Sequence, residues 1–472
     1  VPAYDLLFNN LTVYENLYFC ARLRLNYVKD KAEIDRRIDN ILTQVRLSDR
    51  RDTKVGDIMH EKLSGGQRKR LNIALELLSD PLIIFLDEPT SGLSSKDSEN
   101  LINILLSLKE QGKIIITSIH QPNSDLFQKF NKILFLDKYG TQVYFGDVEK
   151  IFDYFDEELL KISINKRNLI EKKALKMPEY LFDILEYRKE DFSFDLNISK
   201  NDISDETHRK FPPEYWKEKY NKDALYHAIS ENKNEAKPLE NNQENKKLIK
   251  SSLNLEENFL QAFYIFYRNL KNKLTNKINL VITFIAAPLL SFIVAFILRY
   301  NAEEEVYKFY NNDNIVLFIF ISVIIFIFFG LANSLDEILA EKRIIIREKK
   351  MNIKSIYFLL AKNITLLIFS IIQSLLFIFI ASLILKIKGM LLLYAIFLIL
   401  SGMIGFSIGL LASAFIHDRK AIINILPIVI IPQILFAGAV IRFDKMNSSL
   451  KINQKASVPE FCQIIPSKWL FE

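Results

Sequence analysis

Two short stretches carry residue types that could do chemistry together. Leu63-Ser64-Gly65-Gly66-Gln67 stands directly before a helical pattern, and Leu86-Asp87-Glu88-Pro89 closes an apolar run further along. A serine and two glycines at a helix start can offer unpaired backbone N–H groups, and the positive end of the helix dipole, to a phosphate. Ser64 is placed to cap that helix, with Gln67 beside it. An Asp-Glu pair at the carboxyl end of a buried strand can hold Mg²⁺ and activate water. Leu82–Leu86 followed by Asp87-Glu88 is therefore a Walker B pattern, with Asp87 as the Mg²⁺ ligand and Glu88 as the general base. His120 ends a β-branched run, where an imidazole can hydrogen-bond a γ-phosphate. Together these residues point to nucleotide hydrolysis.

Each feature has a blander reading. A lone Ser-Gly-Gly is more often a helix cap, an Asp-Glu can be a cap and first-turn acid, and a lone His is more often structural. The combination outweighs those readings. One part is missing: no G-x-x-x-x-G-K-[ST] occurs, and Gly112-Lys113 lacks both the preceding glycine and the following hydroxyl.

The elements that must position these residues follow from periodicity. Apolar or β-branched runs at 81–86 and 113–119 read as buried strands, and 132–136 with 142–145 as a hairpin around Lys138-Tyr139-Gly140. Leu71, Ala74, Leu75 and Leu78 repeat at helical spacing, as do Leu101, Ile104, Leu105 and Leu108. Strands alternating with amphipathic helices predict an α/β domain with a mostly parallel sheet.

Apolar residues make up 50% of the 472 residues although 25% are charged, so the two kinds must be segregated. Five apolar stretches, near 278–298, 315–334, 363–385, 389–416 and 421–441, are each about long enough to span a bilayer core. Residues 259–272 are amphipathic with a basic end and fit an interfacial helix. Lys342, Arg343, Arg347, Lys349 and Lys350 after the second stretch, and Arg419 with Lys420 after the fourth, place those loops in the cytoplasm. Glu303, Glu304 and Glu305 face outward. Ser401, Gly405, Gly409 and Ser413 form a small-residue stripe read as packing within one subunit rather than a seam between subunits. No basic stripe with interleaved aromatics appears, which argues against nucleic acid as a partner. Cys20 and Cys462 lie far apart, which argues against a disulfide framework.

With these residues assembled, the chain resembles an ATP-binding cassette transporter of the ABCG (White-type) arrangement, closest to bacterial members. LSGGQRKR resembles the family signature, and IIFLDEPTSGL its Walker B region. SIHQPNSDLFQKFNKILFL resembles the switch-histidine segment, and LTVYENLYFCARLRL the stretch after the Q-loop. AEKRIIIREKKMNIKSIYFLLAKN resembles the loop after the second span, with Glu341 and Arg347-Glu348 in a recurrent pattern.

The resemblance implies roles. Ser64, Gly65 and Gly66, with Gln67, would bind the γ-phosphate of ATP held by a second subunit. Asp87 would serve Mg²⁺, Glu88 would be the base and His120 the switch. Residues 337–351 would be the coupling helix. The family's Q-loop glutamine falls at Ala3 and its D-loop aspartate at Ser94. The expected organisation is a partial α/β nucleotide-binding domain over 1–190 without Walker A, a polar linker over 191–255, an interfacial helix over 256–277 and an all-α polytopic transmembrane domain of ABC-2 type over 278–472. The chain is expected to be an internal fragment, inactive alone, with the phosphate loop upstream and a sixth span downstream. The expected function is ATP-driven export by a half-transporter that pairs with a second subunit. It would be multi-pass in the plasma membrane, with the nucleotide-binding domain cytoplasmic. The alternative is a catalytically weak, membrane-anchored protein with a regulatory or scaffold role. The transported substrate is not legible.

Overall fold

A computed structural model describes residues 1–25, 28, 30–56, 62–120, 122–162, 166–187, 209–222, 255–300, 307–309, 312–351, 353–387, 389–447, 450 and 458–472. The acidic outer loop and most of the expected linker lie outside these residues. In chain order the elements used below begin with α1 (Val13–Arg24), α2 (Lys31–Gln44), α3 (Gly65–Leu77), β1 (Ile83–Asp87), α4 (Ser95–Glu110) and β2 (Ile114–Ser118). Next come β3 (Lys132–Leu136), β4 (Gln142–Asp147), α5 (Pro213–Lys222), α6 (Leu255–Thr275) and α7 (Lys277–Leu298). The chain continues with α8 (Ile315–Ser334), α9 (Lys342–Lys350), α10 (Ser355–Leu385), α11 (Leu391–Phe415), α12 (Ile425–Leu435) and α13 (Pro466–Phe471).

The chain divides into two compact units, Val1–Ala3 with Leu82–Ser251, and Tyr4–Pro81 with Ser252–Glu472. This grouping differs from one nucleotide-binding unit over 1–190. Residues 4–81 cluster with the helical half because they share apolar cores with it. Phe8, Leu11 and Phe19 are buried with Ile344, and Leu23 with Ile265, Ile353 and Phe358.

In the first unit, β1 and β2 pair in parallel, with Ile83 opposite Ile114 and Asp87 opposite Ser118. β3 and β4 form an antiparallel hairpin. The strands are not buried on both faces as their apolar runs predict. Ile84 and Leu86 are buried, while Phe85 is 62% and Ile116 49% exposed. Strand alternation sends successive side chains to opposite faces, and only one face is covered here. The main core lies around the hairpin, where Phe155, Tyr180 and Trp216 are fully buried. Trp216 comes from α5, inside the stretch expected to be linker. The buried Glu158 carboxylate receives Lys219 and the Tyr215 hydroxyl, which fastens α5 to this unit. The described part of that stretch is therefore packed structure.

Among the described residues of the second unit, four helices are long and apolar enough to cross a membrane: α7, α8, α10 and α11. The fifth apolar stretch does not form such a helix. It breaks into a short helix at Arg419–Ile423 and the 11-residue α12, with Pro432 inside it. Eleven residues rise only about 17 Å, short of a ~30 Å core, and proline removes a backbone donor.

α8 and α11 pack backbone to backbone. A Cβ on Gly405 would lie 2.2 Å from the Ile327 carbonyl oxygen, and one on Gly330 2.2 Å from that of Gly402. At Gly409 it would meet the Ser334 hydroxyl at 1.9 Å. Ser413 Oγ accepts the N–H groups of Ile338 and Leu339, both at 3.1 Å, just beyond the end of α8. The small-residue stripe thus packs α11 onto α8 of the same chain. Gly405→Leu should lower stability by about 1–3 kcal/mol or abolish folding. Thermal unfolding of the detergent-solubilised protein checks this, with exposed Ser407→Ala expected within about 0.5 kcal/mol of wild type.

Candidate active site

The first unit brings the acid pair and the histidine to one end of its parallel sheet. β1 ends at Asp87 and β2 at Ser118, two residues before His120. Glu88, the first residue past β1, has φ +42°, a left-handed conformation that is costly for a residue with a Cβ. Its N–H donates to Ser118 Oγ at 3.0 Å, and the same hydroxyl donates to Asp87 Oδ1 at 2.9 Å. Glu88 and His120 line one open cleft of about 930 Å³, together with Thr90, Ser91, Lys96 and Asn123. Both residues therefore border one common space. Among the described residues no three His, Cys, Asp or Glu side chains gather to cage a metal. Mg²⁺ commonly takes one or two carboxylates plus substrate phosphates, so Asp87, with one oxygen on Ser118, fits that demand.

Ser94, at the position of the family's D-loop aspartate, is the N-cap of α4. Its Oγ accepts the Asp97 N–H at 3.2 Å and donates to Asp97 Oδ2 at 3.0 Å. A carboxylate absent at 94 is thus held against it from one helical turn away. The sequence reading missed Asp97 and Ser118. The cap pattern S-x-x-D was a signal for the first. The second needed the register of β1 with β2.

The signature belongs to the other unit. Ser64 is the N-cap of α3, with a reciprocal capping box in which Ser64 Oγ accepts the Gln67 N–H and Gln67 Oε1 accepts the Ser64 N–H. Gln67 is thereby engaged in capping. The N–H groups of Gly65 and Gly66, in the first turn, take no partner among the described residues. They are the orphan donors that every helix start leaves open.

The far end of α3 meets charged groups. Arg24 of α1 pairs with Glu76 at 2.6 Å and donates to the Leu75 carbonyl at 2.7 Å. Glu76 also lies 4.0 Å from Arg347 of α9. The next residue, Glu348, receives both arms of Arg268 from α6, at 2.5 and 3.0 Å. Beside this pair, Glu337 receives Lys273 at 2.9 Å and Lys362 at 2.8 Å, and Lys362 also reaches Glu341 at 2.9 Å. Three groups of ion pairs thus lie along α9 and its flanks: Arg24–Glu76–Arg347, Arg268–Glu348, and Lys273–Glu337–Lys362–Glu341.

Residues 1–91 match the ABC transporter family, and residues 260–458 and 120–286 each match an ABC-2 type transporter family. One chain thus carries a match to the ABC transporter family ahead of matches to ABC-2 type transporter families. It is 39% identical to human ATP-binding cassette sub-family G member 8 over 155 residues, 33% of this chain and 23% of that protein. It is 42% identical to the ABC-type transporter claG of Penicillium crustosum over 146 residues, 31% of this chain and 20% of that one. It is 40% identical to the mouse broad substrate specificity transporter ABCG2 over 151 residues, 32% of this chain and 23% of that one. The matched stretch thus spans less than a quarter of each of these curated relatives.

Two predictions follow from these ion pairs. Removing one partner of a buried pair leaves the other charge uncompensated, at about 3–5 kcal/mol. Glu348→Leu should destabilise by that order, and Arg268→Met with Glu348→Leu should recover most of it, as read by thermal unfolding in detergent. The second concerns Glu337. Burial alone would raise its carboxyl, but Lys362 and Lys273 outweigh burial and hold it down to about 2, against an ordinary 4.5. A depressed carboxyl stabilises the fold fully above its unfolded value and loses that contribution as pH falls toward its folded value. The stability gap between wild type and Glu337→Gln should be constant from pH 7 to about 5 and shrink between about 4.5 and 2. Denaturant unfolding across that range measures it.

Proposed function

We propose that this chain forms part of one subunit of an ATP-hydrolysing membrane transporter that works as a dimer and exports its substrate. The observation that carries the reading is the juxtaposition of Glu88 and His120 on one cleft, with Asp87 fixed beside them, in a chain that also contains four helices of membrane-spanning length. Glu88 is the group to accept a proton from an attacking water, and His120 the group to hydrogen-bond the γ-phosphate as charge develops. Asp87 would hold Mg²⁺, which when bound neutralises phosphate charge. The open N–H groups of Gly65 and Gly66 suit the γ-phosphate of a nucleotide held by the second subunit. Complete catalysis then requires both subunits.

Transmission to the membrane is read through α3, a rod of about 20 Å at 1.5 Å per residue. A displacement at its glycine end moves Glu76 at the other. Arg24, Arg347 and the Glu348–Arg268 pair pass that displacement to α9 and α6. The basic residues of α9 support a cytoplasmic position for this machinery and an outer position for the loop between α7 and α8. The membrane is read as the plasma membrane.

Two measurements test the reading on the full-length protein in proteoliposomes. Glu88→Gln should reduce Mg²⁺-dependent ATP turnover by at least about a hundredfold while ATP still binds; turnover independent of Glu88 sinks the proposal. A protease site placed in the 299–314 loop should be protected in inside-out vesicles, whose lumen corresponds to the cell exterior. Cleavage from the side carrying the ATPase half contradicts the topology.

A further inference from the structure

Ser118 occupies a position that the catalytic assignment does not use. It is the register partner of Asp87 at the carboxyl ends of two parallel strands, so the two side chains stand next to each other. A serine hydroxyl has one proton to donate and two lone pairs to accept with. Here the proton goes to Asp87 Oδ1 at 2.9 Å, and a lone pair takes the Glu88 N–H at 3.0 Å. One hydroxyl thus holds the side chain of one acid and the backbone of the next.

Both contacts bear on the chemistry. Engaging Asp87 Oδ1 fixes the carboxylate rotamer and leaves Oδ2 for a cation. Engaging the Glu88 amide pins the peptide where the chain leaves extended β1 for φ +42°, a conformation that persists only when neighbours determine it. That turn sets the direction in which the Glu88 carboxylate leaves the strand. His120 follows two residues later on the strand that carries Ser118, and it lines the same cleft as Glu88. The hydroxyl therefore ties the metal-side acid, the base and the histidine-bearing strand into one unit.

We propose that Ser118 is a positioning residue for hydrolysis: its hydroxyl sets both the metal-facing oxygen of Asp87 and the aim of Glu88. This rests on the hydrolytic reading of the Asp87-Glu88 pair. A hydroxyl in the second layer around a metal or base commonly contributes about ten- to a hundredfold to activity or metal affinity. An alanine at 118 removes both contacts and leaves the chain path of β2 unchanged.

The test uses the full-length protein in proteoliposomes with ATP and Mg²⁺, comparing wild type, Ser118→Ala, Ser118→Thr and Glu88→Gln. Steady-state turnover is read alongside binding of a fluorescent ATP analogue and thermal unfolding. Ser118→Ala should lower kcat about ten- to a hundredfold and raise the Mg²⁺ concentration for half-maximal turnover about tenfold. KM for ATP, analogue binding and unfolding temperature should stay close to wild type. Ser118→Thr keeps the hydroxyl and should restore turnover to within about threefold. If Glu88→Gln is inactive and Ser118→Ala turns over within about twofold of wild type, Ser118 has no positioning role and the hydrolytic reading stands. If Ser118→Ala loses nucleotide binding and thermal stability together, its role is structural and the assignment fails. If Glu88→Gln hydrolyses normally, the hydrolytic reading falls and takes this assignment with it.

Discussion

The Arg268 guanidinium is 1% exposed, with both arms on a Glu348 carboxylate that is itself 3% exposed. Taking two charges out of water costs several kcal/mol each, and that cost is recovered only with good geometry and no stray partner. α6 and α9 must therefore meet in one register. The same demand applies one step away, where Lys362 is buried between Glu337 and Glu341. Arg268 also sits over the rings of Phe8 and Phe358, at 4.5 and 5.3 Å. Those contacts tie the segment before α1, and the start of α10, to the same charge. These contacts add to the shared apolar cores that hold residues 4–81 with the helical half.

Below this junction the constraint changes from charge to shape. Lipid supplies no hydrophobic drive between helices, so close packing has to hold them. The Gly330, Gly405 and Gly409 positions allow α8 and α11 to approach closely, and Gly402 makes room for Ser370 of α10. Ser413 then accepts the N–H groups of Ile338 and Leu339 in the turn that follows α8. Gln373 reaches the Thr283 carbonyl at 2.9 Å, a polar contact buried between α10 and α7. A rigid helical pair beneath an ionic junction suits a part that moves as a body rather than deforming residue by residue.

The proposed hydrolytic site works by different means. It has little burial and depends on strand ends, on one strained residue and on a hydroxyl that serves two acids. Near it, the Ser94 hydroxyl caps α4 and holds the Asp97 carboxylate at the helix start.

Much was legible in the residues because local physics sufficed. Ser64 caps α3 because a serine before two glycines and a helical repeat has few better uses. Asp87-Glu88 ends a strand because an apolar β-branched run stops there. α7, α8, α10 and α11 follow from length and hydropathy. Where the reading failed, distant partners or backbone chemistry decided. Pro432 and the helix break at Asn424 divide the fifth apolar stretch, although its composition alone suits a span. Trp216 joins the first core from a stretch whose average polarity suggested a linker, because its ring packs on Phe155 with centroids 5.0 Å apart. Ser118 acquired its place from register with Asp87, which no spacing along the chain encodes. Sequence by itself determined which elements form and which residue types could react, since both depend on neighbours a few positions away. Tertiary structure decided which charges are buried together and what holds the acid pair, since both depend on strands and helices meeting across long separations.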